Sequence, residues 1–213
     1  STHNRCGGVP LSLAYTQAAA DLAHAHGLAV HLDGARLFNA AAATGCSAAE
    51  LAGPVDSVTF CLSKGLCAPV GSVLCGSRAF IHQAHRIRKQ LGGGMRQAGI
   101  LAAAGLVALD TMASRLGEDH VRAQRLAQKL ATLPGISLDR GAPATNMVYL
   151  SLAADLPVDA HQLSGELAER GIRVGVVGER RFRLVTHYWI DDAAVDLTAE
   201  AFATTLQAFA NHA

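Results

Sequence analysis

Two residues could do chemistry, and their placement sets the first question. Asp33 ends the apolar run "LAVHL" and is followed at once by Gly34. Lys64 stands two residues after the β-branched and aromatic run "SVTFCL". Lysine is scarce in this chain, with three against fifteen arginines. A lysine amine can lose its proton and condense with an aldehyde, whereas a guanidinium stays protonated and cannot. An acid and a lysine in one crevice admit two readings. One is a structural ion pair. The other is a site where lysine bonds an aldehyde cofactor and the acid partners its ring nitrogen, as a pyridoxal phosphate enzyme requires.

Those residues need elements to position them. "LSLAYTQAAADLAHAHG" reads as a helix closed by Gly27, and "LAVHL" as a short buried strand. "RLFNAAAA" is a second helix. A third starts after Ser47, with Glu50 three residues on, as in a capping box. "SVTFCL" and "GSVLCG" read as strands. "RAFIHQAHRIRKQL" carries Phe80, Ile81, Ala84, Ile87 and Leu91 at helical spacing. "AGILAAAGLVALDTMASRL" is nearly all apolar or small and reads as a helix buried on most sides. Strands alternating with helices imply an α/β layer with a mostly parallel sheet. If the first two strands are neighbours, Asp33 and Lys64 lie at the carboxyl ends where such sheets bind ligands.

Further on the pattern changes. "VRAQRLAQKLATLPG" is amphipathic and arginine-rich. A strand "NMVYLSL", a helix "DAHQLSGELAERG", short strands "IRVGVV" and "RFRLVTH" and a last helix from about Asp192 follow. That order suits a small α+β domain. Gly117, Glu118 and Asp119 are expected to interrupt the apolar helix, which gives a large-domain portion over 1–115 and a small domain over 116–213.

Composition narrows the classes. The 213 residues are half apolar and carry a net charge of +1, enough length for one large or two small packed domains. Near-neutral charge without a basic block argues against nucleic acid or a membrane surface as partner. No apolar run is expected to reach the roughly 18 residues of a membrane span, and "STHNRCGG" is no signal peptide. Cys6, Cys46, Cys61, Cys67 and Cys75 are odd in number and form no CxxC pair, so no metal site is expected and reduced thiols in a cytoplasmic protein are.

Taken together, "HLDGARLFNAAAATG", "CLSKGLCAPVGSVLCG", "RKQLGGGMRQAGILAAAGLVAL" and "RFRLVTHYWI" resemble the threonine aldolases, pyridoxal phosphate enzymes of fold type I. "STHN" resembles that family's "ENTHN" segment and Asp119-His120 its "EDH". The match runs in order over about residues 1–190. The resemblance implies cleavage of a β-hydroxy-α-amino acid to glycine and an aldehyde, pyridoxal 5'-phosphate as cofactor, and homotetramers built as dimers of dimers. It implies that Lys64 bonds the cofactor and Asp33 partners its pyridine nitrogen. Arg36 would lie near the phenolic oxygen and the substrate carboxylate, and Arg183 would be the main carboxylate ligand, with Arg181 its rival on the same strand face. Lys89 and Arg96 match positions that face a neighbouring subunit's site. His3 and His187 are candidates for the base or for substrate contact.

The family's chains extend further at the N-terminus, where the cofactor's phosphate loop and a ring-stacking histidine reside. The chain is therefore expected to be a piece of a longer protein. Cys67 stands where many members have glycine. Two other readings compete: a pyridoxal enzyme that eliminates a β-substituent, and a non-catalytic fragment that packs on a partner chain.

Overall fold

A computed structural model describes residue 2 and residues 6–211. They form two compact units, one of residues 2 and 9–117, the other of residues 6–8 and 118–211.

The first unit starts with α1 (Leu13–Ala25), whose N-cap Ser12 accepts the Tyr15 N–H. Gly27, in the left-handed region at φ 67°, follows. β1 (His31–Asp33) leads to α2 (Leu37–Thr44) and α3 (Ala48–Ala52), the latter with the Ser47/Glu50 capping box in place. β2 (Ser57–Cys61), β3 (Ser72–Gly76) and α4 (Arg78–Gln90) complete the layer. The sheet order is β1-β2-β3. β1 pairs β2 in parallel, and β3 returns antiparallel to β2. The sheet is therefore mixed rather than mostly parallel, because the short link between β2 and β3 leaves no room for a crossover helix. Val58 and Phe60 of β2 enter the core with Leu37, Leu51 and Leu66.

β1 is shorter than expected and is an exposed edge, with His31 and Asp33 open to solvent. It begins late because the Val30 N–H is engaged by a side chain rather than by a neighbouring strand. That N–H donates to Asp56 Oδ2 at 2.7 Å, and the Val30 carbonyl accepts the Asp56 N–H at 3.0 Å.

The apolar run forms α5 (Gly99–Val107), a π turn over Ala108–Met112, a 3-10 turn over Ala113–Arg115 and α6 (Leu116–Leu130). The expected break at 117–119 does not occur. The irregularity lies upstream, and Glu118 and Asp119 sit in the first turn of α6, where the helix dipole favours acidic side chains. Nor is α5 covered: Ile100 is 78% and Leu106 63% exposed. The stretch Gly99–Leu130 is long and apolar enough to cross a membrane by length and composition, at mean hydropathy 1.4 over its best window. Buried helices of soluble proteins pass the same test, and Asp110 and Arg115 interrupt the run.

The second unit contains β4 (Ile136–Leu138), β5 (Met147–Leu152), α7 (Ala160–Glu169), β6 (Gly175–Gly178), β7 (Arg181–Val185) and α8 (Asp192–Asn211). Its sheet runs β4-β5-β7-β6, antiparallel throughout. Val148, Leu150, Phe182 and Leu184 pack against α6, α7 and α8, with the Phe182 and Phe202 rings edge to face at 5.8 Å. Alternation then puts Tyr149, Ser151, Arg181 and Arg183 on the other face. Residues 6–8 join this unit, since the Thr145 hydroxyl donates to the Gly8 carbonyl at 2.9 Å.

Candidate active site

Asp33 is the last residue of β1 and pairs with Thr59 of β2. The Gly34 N–H donates to the Thr59 carbonyl at 2.8 Å, which pins the strand end. One carboxylate oxygen of Asp33 accepts the Ala35 N–H at 3.2 Å. The side chain is thus oriented by the turn that starts α2. Lys64 follows β2 at the same end of the same parallel pair. The two residues stand at the carboxyl ends of adjacent parallel strands, where open sheets place their ligands.

The backbone around Lys64 is tightly held. The Leu62 N–H donates to Gly71 O at 2.9 Å, the Ala68 N–H to Leu62 O at 3.0 Å and the Cys67 N–H to Lys64 O at 2.9 Å. Gly65 has no room for a side chain: a Cβ there would lie 2.9 Å from Leu116 Cδ2 and 3.0 Å from Asn39 Oδ1. Asn39 is itself 2% exposed. Sequence reading overlooked Asn39, although an asparagine inside the alanine-rich "LFNAAAAT" was a signal. Arg36 takes the N-cap position of α2, its carbonyl accepting the Ala40 N–H at 3.1 Å.

In the second unit, three neighbouring arginines differ in what they hold. Arg180 donates to the carbonyls of Ala153 and Leu156. Arg181 is paired with Asp139 at 2.6 Å. Arg183 has its Nε buried without a hydrogen-bond partner. Its cross-strand neighbours are Tyr149 on one side and Gly175 on the other, so the Gly175 side carries no side chain beside it. A surface cavity of about 250 Å3 is bordered by Arg183, Arg173 and His187. His187 Nδ1 accepts the Trp189 N–H at 3.3 Å, so the neutral ring carries its proton on Nε2 and presents a donor there.

Lys89 and Arg96 come together in the first unit. They line, with Arg86 and Arg88, a surface cavity of about 540 Å3. His3 lies outside the described residues. No group of three or more metal-ligating side chains occurs among the described residues.

The residues present fit pyridoxal 5'-phosphate on the side of its ring and aldehyde. In the first unit they supply an amine, Lys64, and a carboxylate oriented by a backbone N–H, Asp33.

The family model for beta-eliminating lyases matches residues 1–153. The chain belongs to the beta-eliminating lyase family. Its relatives within that grouping are informative. It is 43% identical over 202 residues to low-specificity L-threonine aldolase 1 of Arabidopsis thaliana, covering 95% of this chain and 56% of that protein. It is 41% identical over 187 residues to the low specificity L-threonine aldolase of Escherichia coli K12, covering 88% of this chain and 53% of the other. The chain thus spans little more than half the length of these relatives. Among solved structures, the threonine aldolase of Leishmania major superposes with a TM-score of 0.73 at 20% identity, over 92% of this chain and 57% of that one. At that identity the likeness speaks for the fold, which is fold type I of the pyridoxal enzymes.

Proposed function

We propose that the chain is the lysine-bearing portion of a pyridoxal 5'-phosphate enzyme that cleaves β-hydroxy-α-amino acids such as threonine to glycine and an aldehyde. The observation that carries this reading is the placement of Asp33 and Lys64 at the carboxyl ends of the parallel pair β1 and β2, in a chain over 40% identical to two threonine aldolases. Lys64 would hold the cofactor through its amine. When bound, the cofactor supplies an electron sink for the pair released as the Cα–Cβ bond breaks. Asp33 would keep a proton on the pyridine nitrogen, since a carboxylate beside a cation favours the charged form. Arg183 would grip the substrate carboxylate, for which a guanidinium offers a two-pronged match, and Arg36 would stand near the same end. Lys89 and Arg96 would serve a neighbouring subunit's site. The exposed apolar side of α5, at Ile100 and Leu106, supports a homo-oligomer in which protein covers it.

The test is incubation of the full-length protein with L-threonine. Glycine and acetaldehyde in equal amounts are expected. Ammonia and a 2-oxo acid would instead point to elimination of the β-substituent, and no product at all to a non-catalytic chain.

A further inference from the structure

β1 and β2 carry, besides Asp33, three polar side chains on one face that sequence reading passed over. His31 pairs with Ser57 and Asp33 with Thr59, while Leu32 and Val58 alternate to the other face. The His31 ring spans both hydroxyls of the neighbouring strand. Its Nδ1 lies 2.9 Å from Ser57 Oγ, and its Nε2 lies 3.2 Å from Thr59 Oγ1.

A histidine with both ring nitrogens engaged, on two residues of another strand, has little freedom left in either side-chain torsion. Because one neutral ring nitrogen donates and the other accepts, one hydroxyl must accept from the ring and the other must donate to it. Either way the ring ties down the Thr59 hydroxyl, whose residue stands directly beside Asp33 in the parallel register. The Thr59 carbonyl, on the same residue, receives the Gly34 N–H that anchors the end of β1. His31 therefore controls both flanks of Asp33: the residue across from it and, two positions back, its own strand.

We propose that His31 is a positioning residue for Asp33, acting through the hydroxyls of Ser57 and Thr59. Its task is to hold the Asp33 carboxylate at the orientation in which it partners the protonated ring nitrogen of a pyridine cofactor. The inference rests on the proposed function, and it assigns His31 no contact with substrate. An acid aimed by a fixed hydrogen-bond frame keeps its partner's proton in place without reorganising during the reaction, which is what a supporting layer around a site contributes.

The test uses the full-length protein with bound pyridoxal 5'-phosphate and four variants: His31→Leu, Thr59→Val, Thr59→Ser and Asp33→Asn. Thr59→Val keeps the β-branched shape and removes only the hydroxyl, so it guards against a folding failure of His31→Leu. The readouts are kcat and KM for L-threonine, and the visible absorption spectrum of the bound cofactor without substrate. His31→Leu and Thr59→Val are expected to lower kcat about tenfold, the lower end of what removing an outer hydrogen-bond partner costs at metal sites, with little change in KM. Both should shift the cofactor spectrum in the same direction as Asp33→Asn. Thr59→Ser should restore both. A spectrum and kcat unchanged in Thr59→Val, while Asp33→Asn alters both, would overturn the inference and leave the proposed function standing. An Asp33→Asn protein indistinguishable from wild type would instead overturn the proposed function.

Discussion

The N–H of Cys67 donates to the carbonyl of Lys64 at 2.9 Å, and Cys67 closes that turn in the left-handed region at φ 59°. The turn that presents Lys64 is thus held by a residue with a side chain in a conformation that favours glycine. The left-handed geometry costs a residue with a Cβ roughly 1–2 kcal/mol, part of which glycine returns through its freer unfolded state. Cys67→Gly is expected to raise the midpoint of thermal unfolding, and Cys67→Val, with its branched Cβ, to lower it. The order glycine, cysteine, valine in unfolding midpoints is the check; a valine variant as stable as the glycine one would contradict it.

The arginines of β7 should separate by what they already hold. Arg183→Ala is expected to raise KM for β-hydroxy-α-amino acids about thirtyfold or more, the low end of the roughly 2–5 kcal/mol that truncating one partner of a buried charge pair costs. Arg181 is itself exposed, but its partner Asp139 is largely buried. Replacing Arg181 should leave KM unchanged and cost stability by about 1–3 kcal/mol, the cost of leaving a buried polar group without its partner. Steady-state kinetics on both variants decide it, and a large KM effect confined to Arg181→Ala would reverse the assignment.

His120 gives the second unit a pH dependence. It is 6% exposed, and burial pushes its pKa below the ordinary value of 6.5, against a smaller opposing pull from Asp119. The folded state therefore binds fewer protons than the unfolded chain just below pH 6.5. Its contribution to stability is complete above that value and is lost as the pH falls towards the lowered folded pKa. Denaturant midpoints measured from pH 7.5 down to pH 5 should decline, and His120→Gln should flatten that part of the decline. A slope unchanged by the substitution would remove His120 as its cause.

Much of this arrangement was legible in the chain itself. The helix caps at Ser47 and Gly27 follow from local chemistry, and the Asp33 and Lys64 positions follow from where apolar runs stop. The edges were not legible. "LAVHL" reads as a buried strand because its residues are apolar, yet whether a strand is covered depends on neighbours it does not encode. The same holds for α5, whose composition signals burial although Ile100, Leu106 and Val107 stand exposed. β4 escaped notice because three residues make no period. His31 escaped because its meaning lies in Ser57 and Thr59, 26 and 28 residues away along the chain.

The account rests most directly on Lys64, and the small number of lysines makes it testable at one residue. The full-length protein is incubated with pyridoxal 5'-phosphate, reduced with borohydride, digested and sequenced by mass spectrometry. Of Lys64, Lys89 and Lys129, the reduced cofactor adduct is expected on Lys64, and the Lys64→Arg protein, which keeps the charge but has no amine to condense, is expected to carry none. An adduct on Lys89 or Lys129 with Lys64 unmodified, or a Lys64→Arg protein that labels as fully as wild type, would contradict it.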